Sequence, residues 1–136
     1  MAAPDISRAR IWTARLLTLL VVAFLLMDAT MKVMKAAPAV QGTAELGYPA
    51  GSIVGIGLLL LACTAVYAIP RTSIIGALLL TGYLGGAIAS QVRVGNPPFS
   101  HVLFPVYIAA IIWGAIYLRD RRLQALLFAT PVRSLA

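Results

Sequence analysis

Four stretches of this chain are each long and apolar enough to cross a bilayer, and together they leave little sequence for anything else. Spanning the hydrocarbon core takes about 20 mostly apolar residues in a helix. Residues 11–31 ("IWTARLLTLLVVAFLLMDATM"), 50–69 ("AGSIVGIGLLLLACTAVYAI"), 73–92 ("SIIGALLLTGYLGGAIASQV") and 101–118 ("HVLFPVYIAAIIWGAIYL") all meet that requirement. Segments of alternating polarity, the mark of a membrane β-barrel, are absent from the sequence. The expectation is an all-α fold, an integral membrane antiparallel four-helix bundle, with residues 1–136 forming one transmembrane domain. Charge content agrees: 11% of the residues are charged, against roughly a quarter in soluble domains.

The connections suit a bundle. Residues 70–72 ("PRT") form a very short turn, so the second and third segments make an antiparallel hairpin. In residues 93–99 ("RVGNPPF"), Gly95 suits a helix C-cap and Pro97–Pro98 cannot continue the helix. The longest link contains Pro38 and Gly47, which bracket a short helix over 38–46. Val40, Ala44 and Leu46 give that helix an apolar side, as expected of an interfacial element lying across the end of the bundle. Pro105 is expected to kink the fourth helix.

Basic residues near the helix ends set orientation. With both termini on one side, that side holds Arg8, Arg10, Arg15, Arg71, Arg119, Arg121, Arg122 and Arg133, and the other holds Lys32, Lys35 and Arg93. Eight against three places both termini in the cytoplasm and the chain in a bacterial inner membrane. The arginines before the first segment resemble a signal-peptide n-region, but Asp28, Lys32 and Lys35 stand where small neutral cleavage-site residues belong, so the segment is expected to be retained. The formal charge of +7 does not imply nucleic acid, because the basic residues flank apolar runs and form no separate patch.

Several chemistries are excluded. The single cysteine, Cys63, allows neither an intramolecular disulfide nor a CxxC exchange motif, which removes the quinone-linked disulfide oxidases; it reads as a packing residue. His101, the single histidine, cannot supply two axial haem ligands, and no cluster has metal-ligand spacing. No nucleophile–base pair stands out, so the chain is not expected to act as an enzyme on its own.

The polar residues of the spans converge on one level. Asp28 lies roughly 10 Å from the midplane at about 1.5 Å rise per residue, within a hydrocarbon half-thickness of about 15 Å. Lys32 is one turn further along the same face and can pair with it. The third segment brings Gln91 and Arg93 to this level, and the fourth starts there with His101. Glu45, Tyr48 and Asn96 join from the loops. Three readings stand: an Asp28–Lys32–Arg93 ion pair or triad locking helices together, a polar-rimmed pocket for a small amphipathic molecule, or a proton-coupled transport carboxylate. Gly82, Gly86 and Ser90 form a small-residue face expected to pack against a neighbouring helix, with Gly55 and Gly57 in the same role on the second segment.

The stretches "LLMDATMKVMKAAPAV", "YAIPRTSIIGALLLTGYLGGAIASQVRVGNPPFSHVLFPV" and "YLRDRRLQALL" together resemble the DoxX-like family of small four-helix bacterial membrane proteins, over about residues 17–127. The family takes its name from DoxX, associated with the small membrane subunit of a thiosulfate:quinone oxidoreductase. The resemblance implies an accessory subunit beside an oxidoreductase partner, contributing a pocket for a quinone or other lipophilic ligand; the residues expected to form it are Asp28, Lys32, Gln91, Arg93 and His101. One departure bears on this: the family commonly has histidine in "ATHVRVG", where this chain has Gln91 in "ASQVRVG". Gln91 can hydrogen-bond a carbonyl but cannot titrate. A ligand-free membrane scaffold and a small dimeric exporter stand as alternatives, the latter implying a homodimer.

Overall fold

In the computed structural model, which describes residues 6–128, the elements are helical throughout. They are α1 (Arg8–Val33), α2 (Ala37–Glu45), α3 (Ile53–Ala68), α4 (Ser73–Arg93), α5 (Phe104–Arg119) and α6 (Arg121–Phe128). A 3-10 turn, Ala50–Ser52, leads into α3, and a π-helical turn, Pro98–Val102, precedes α5. Four helical stretches, Arg8–Val33, Ala50–Ala68, Ser73–Arg93 and Pro98–Arg119, are long and apolar enough to cross a membrane. Arg133, counted above for orientation, lies outside the described residues.

The helix ends follow from capping, which a hydropathy window cannot see. At the start of α1 the Ser7 hydroxyl accepts from Arg10 N at 3.3 Å. The helix closes beyond Lys32 because Lys35 adopts a left-handed conformation (φ 54°), letting Ala36 N donate to Met31 O at 2.8 Å. In the α3–α4 hairpin, side chains satisfy the last carbonyls of α3: Thr72 Oγ1 donates to Val66 O at 2.7 Å and Ser73 Oγ to Tyr67 O at 2.8 Å. Backbone carbonyls near lipid need such partners, which explains how so short a turn joins two spans.

Two expectations about the fourth segment change. Its helical path starts earlier, at Pro98, as a π-turn. Pro105 then falls in the first turn of α5, where a missing N–H breaks no helical bond, and the break in the helical path falls just before it, at the Leu103 bend. The segment after α5, whose arginines were counted above for orientation, is a helix. Asp120 leaves the α5 path in an extended conformation, and its Oδ1 accepts from Arg122 N at 2.7 Å, capping α6.

The four long helices form a ring in the order α1, α3, α4, α5, each packed on the two beside it; α1 and α4 stand opposite, as do α3 and α5. Val21, Leu25, Leu60, Leu80, Ile112 and Ile116 fill the centre. Tyr67, fully buried, donates from its hydroxyl to Ile112 O at 3.3 Å across the bundle, and Trp113 Nε1 donates to Thr81 Oγ1 at 2.9 Å between α5 and α4. Leu19, Leu20, Leu58 and Leu78 point outward, as lipid-facing residues do. This is a multi-pass membrane helical bundle, and it sits in the lipid bilayer.

The close approaches between helices fall at Gly57, one of the glycines expected to pack, and at Gly76, which the small-residue pattern did not pick out. A Cβ on Gly57 would come 2.8 Å from Lys32 Cβ and 3.0 Å from Val33 N, so α3 is pressed onto α1 at the end of the bundle that carries α2. A Cβ on Gly76 would come 2.7 Å from Tyr67 Cβ and nearer still to the Tyr67 backbone, so α4 is pressed onto α3 at the end that carries α6. By contrast, nothing lies within 4 Å of a Cβ on Gly55, Gly82, Gly85 or Gly86. Of the face formed by Gly82, Gly86 and Ser90, only Ser90 is buried. Within this chain Gly82 and Gly86 border open space.

Candidate functional site

The two close contacts of α3 explain that space. α3 is held to α4 near their shared turn and to α1 at the far end, so α3 and α4 part toward the α2 end. A cavity of about 750 Å³ fills the gap, reaching across the bundle from α4 to α1. Most of its wall is apolar, with Phe24 and Leu25 of α1, Ile56 and Leu59 of α3, and Leu79 of α4. Leu59, Leu78, Leu79, Gly82 and Gly86 line it and are themselves exposed, so it opens between α3 and α4 on the face turned toward hydrocarbon.

Polar groups collect at the α2 end of this cavity. Asp28 and Lys32 form an ion pair one helical turn apart. Both line the cavity, Lys32 with 16% and Asp28 with 35% of its side chain exposed. The α2 helix and the link after it close the space from above with Thr43, Leu46 and Tyr48. That roof is fastened to α4 twice. Ser90 Oγ donates to Gly86 O at 2.9 Å, so the Tyr48 hydroxyl is the donor in its 2.6 Å bond to Ser90 Oγ. Arg93 Nη2 donates to Leu46 O at 2.5 Å.

Asp28, Lys32, Gln91 and His101 are thus brought together around one cavity. Arg93 is not. It is exposed, does not line the space, and satisfies a carbonyl just beyond α2, so the expected triad reduces to the Asp28–Lys32 pair with Arg93 holding the roof. Gln91 accepts from Asn96 Nδ2 through its side-chain oxygen, which orients its amide NH2 away from that bond. His101 Nδ1 pairs with Ser100 Oγ at 2.7 Å at the exposed rim. Glu45 instead pairs with Gln41 on the exposed side of α2.

Tyr48, placed at this level by the sequence, lines the cavity, whereas Tyr83 and Cys63 also line it and were missed as members of this site. Tyr83 sits midway along α4, within electrostatic reach of Asp28, Tyr48 and Cys63. Its hydroxyl has no hydrogen-bond partner among the described residues. The signal was readable: a tyrosine between Gly82 and Gly85, in the interior of a span, is misplaced for an interfacial anchor.

Chemically the arrangement offers hydrogen-bond donors and one ion pair at the top of an apolar slot. Among the described residues no group of three or more His, Cys, Asp or Glu could hold a metal ion. In comparison with known proteins, a model of the DoxX-like family fits residues 16–115, most of the chain and all the residues that line the cavity. No curated protein and no solved structure matches.

Proposed function

The chain belongs to the DoxX-like family, and we propose that it acts there as an accessory membrane subunit holding a lipophilic molecule with a polar head, a quinone, beside an oxidoreductase partner. The observation that carries this reading is the cavity: apolar over most of its wall, polar at one end, and open between α3 and α4 toward the hydrocarbon from which such a molecule would come.

The residues present fit a quinone. Gly82 and Gly86 offer a wall without side chains to a flat ring. Lys32, the Gln91 amide and the Tyr83 hydroxyl supply donors for ring carbonyls. Leu59, Leu78 and Leu79 flank the opening through which an apolar tail would leave. When bound, a quinone supplies a carrier for two electrons and two protons. This chain's own part is to bind and orient: Asp28 fixes the Lys32 ammonium, and the Tyr48–Ser90 bond holds the roof over it.

Native mass spectrometry of the protein, extracted gently from its own membrane without overexpression, tests the proposal. We expect a retained molecule of quinone-like mass, lost in Asp28→Ala. A bare chain bound stoichiometrically to a soluble oxidoreductase would replace the ligand reading with a scaffold.

We also place the protein in a bacterial inner membrane with both termini cytoplasmic, supported by the arginines gathered at the α6 end. In a Cys63→Ala background, an impermeant thiol reagent should label Ser100→Cys in intact cells and leave Arg71→Cys unlabelled. The opposite pattern would invert the orientation.

A further inference from the structure

A second cavity, about 490 Å³, lies at the opposite end of the bundle from the first. Ile11 and Arg15 of α1, Pro70 and Ser73 at the hairpin, Ile116 and Arg119 of α5, and Asp120, Arg121 and Arg122 line it. Arg15, Arg119 and Arg122 thus share the cleft wall with a single lining carboxylate, Asp120. One oxygen of that carboxylate is engaged in capping α6, since Asp120 Oδ1 accepts from Arg122 N at 2.7 Å and from Leu123 N at 3.4 Å. Arg119 Nη2 donates to the buried Ser73 Oγ at 2.9 Å, which fixes the guanidinium at the cleft wall. Arg15 lies over the Trp12 ring, 5.6 Å from its centroid, holding a second charge at the boundary.

The same end carries a membrane-surface element. α6 turns back on α5: Gln124 Nε2 donates to Tyr117 O, and Phe128 meets Tyr117 edge to face with centroids 6.1 Å apart. Leu123 is buried against the bundle, while Leu126, Leu127 and Phe128 are exposed and Arg121 and Arg122 stand at the start of the helix. A short helix with basic residues at one end and exposed apolar residues at the other belongs at the level of lipid headgroups. The cleft opens at that level, and guanidinium groups match phosphate oxygens in geometry as well as charge.

We propose that the cleft between α1, α5 and α6 is a binding site for the phosphate headgroup of an anionic phospholipid. Arg15, Arg119 and Arg122 hold the phosphate, and Leu126, Leu127 and Phe128 lie among the acyl chains. Basic pockets between membrane helices take such headgroups on general electrostatic grounds. All four arginines fall outside residues 16–115, the part of the chain that the family model matches.

The test uses the full chain, delipidated in neutral detergent and titrated with short-chain phosphatidylglycerol, with phosphatidylcholine of the same chain length and with inorganic phosphate, each read by native mass spectrometry. We expect one phosphatidylglycerol per chain, bound at least tenfold more tightly than phosphatidylcholine or phosphate. Arg122→Gln, an exposed position whose loss leaves the Ser73 contact intact, should weaken it about tenfold, and Arg119→Gln more. Arg71→Gln, a basic residue of the same end outside the cleft, should leave it unchanged. Equal binding of the two lipids would overturn the proposal, as would equal losses in Arg71→Gln and Arg122→Gln, which mark diffuse attraction. Phosphate binding as tightly as phosphatidylglycerol would overturn the lipid assignment in favour of a free anion.

Discussion

Gly76→Ala should unfold far more readily than the wild-type chain, while Gly86→Ala, ten residues along the same helix, should be at least as stable. At Gly76 the added methyl would meet the backbone of Tyr67, which no rotamer change can move aside. The clash must be relieved by separating α3 from α4 beside their turn. That shift disturbs the Tyr67 hydroxyl bond to Ile112 O and the Ser73 bond to Tyr67 O together. Overpacking of this kind costs about 1–3 kcal/mol, and rigid backbone on the receiving side argues for the upper end. Better helix propensity returns at most about 1 kcal/mol. At Gly86 nothing lies within 4 Å of the new methyl, so only the propensity gain remains. The two variants should differ by about 3 kcal/mol, read by circular dichroism during titration from neutral detergent into sodium dodecyl sulfate. Equal losses in both would mean that Gly86 packs against a neighbour outside this chain.

That contrast marks where the sequence was informative. The spans were legible because bilayer thickness imposes a length on any helix that crosses it, and the Asp28–Lys32 pair because four residues of helix fix their spacing. Gly82, Gly86 and Ser90 made a plausible packing face, yet a stripe of small residues records only that a helix can be approached. Which glycine is approached depends on where the partner's backbone passes, and here Tyr67 passes Gly76. Arg93 misled for a related reason. It stands at the end of α4 within reach of several acceptors, and the one it takes, the Leu46 carbonyl, exists only because α2 ends beneath it. α6 was hidden by its own charges. Asp120 followed by Arg121 and Arg122 reads as a topology signal, although an aspartate ahead of "RRLQALLF" is also a helix N-cap.

Filling the first cavity should abolish ligand retention with little cost to the fold. A Gly86→Trp side chain starts from a position with no neighbour within 4 Å and projects beside Gly82, Leu79 and Tyr83, into the space assigned to the ring of a bound quinone. Because the cavity is open on the α3–α4 face, the indole displaces lipid or ligand and meets no packed core. The expected result is at least a tenfold loss in binding of a quinone carrying a ten-carbon tail, titrated into the purified protein, with an unfolding midpoint close to wild type. Lys32→Met separates shape from charge. It keeps the apolar stem that packs beside Gly57 and removes the ammonium that faces the cavity, leaving Asp28 without its partner. If the polar head is held there, Lys32→Met weakens binding while the cavity stays open. If binding persists unchanged in Gly86→Trp, the molecule is held elsewhere and the cavity is only the gap left by two helices pinned at opposite ends.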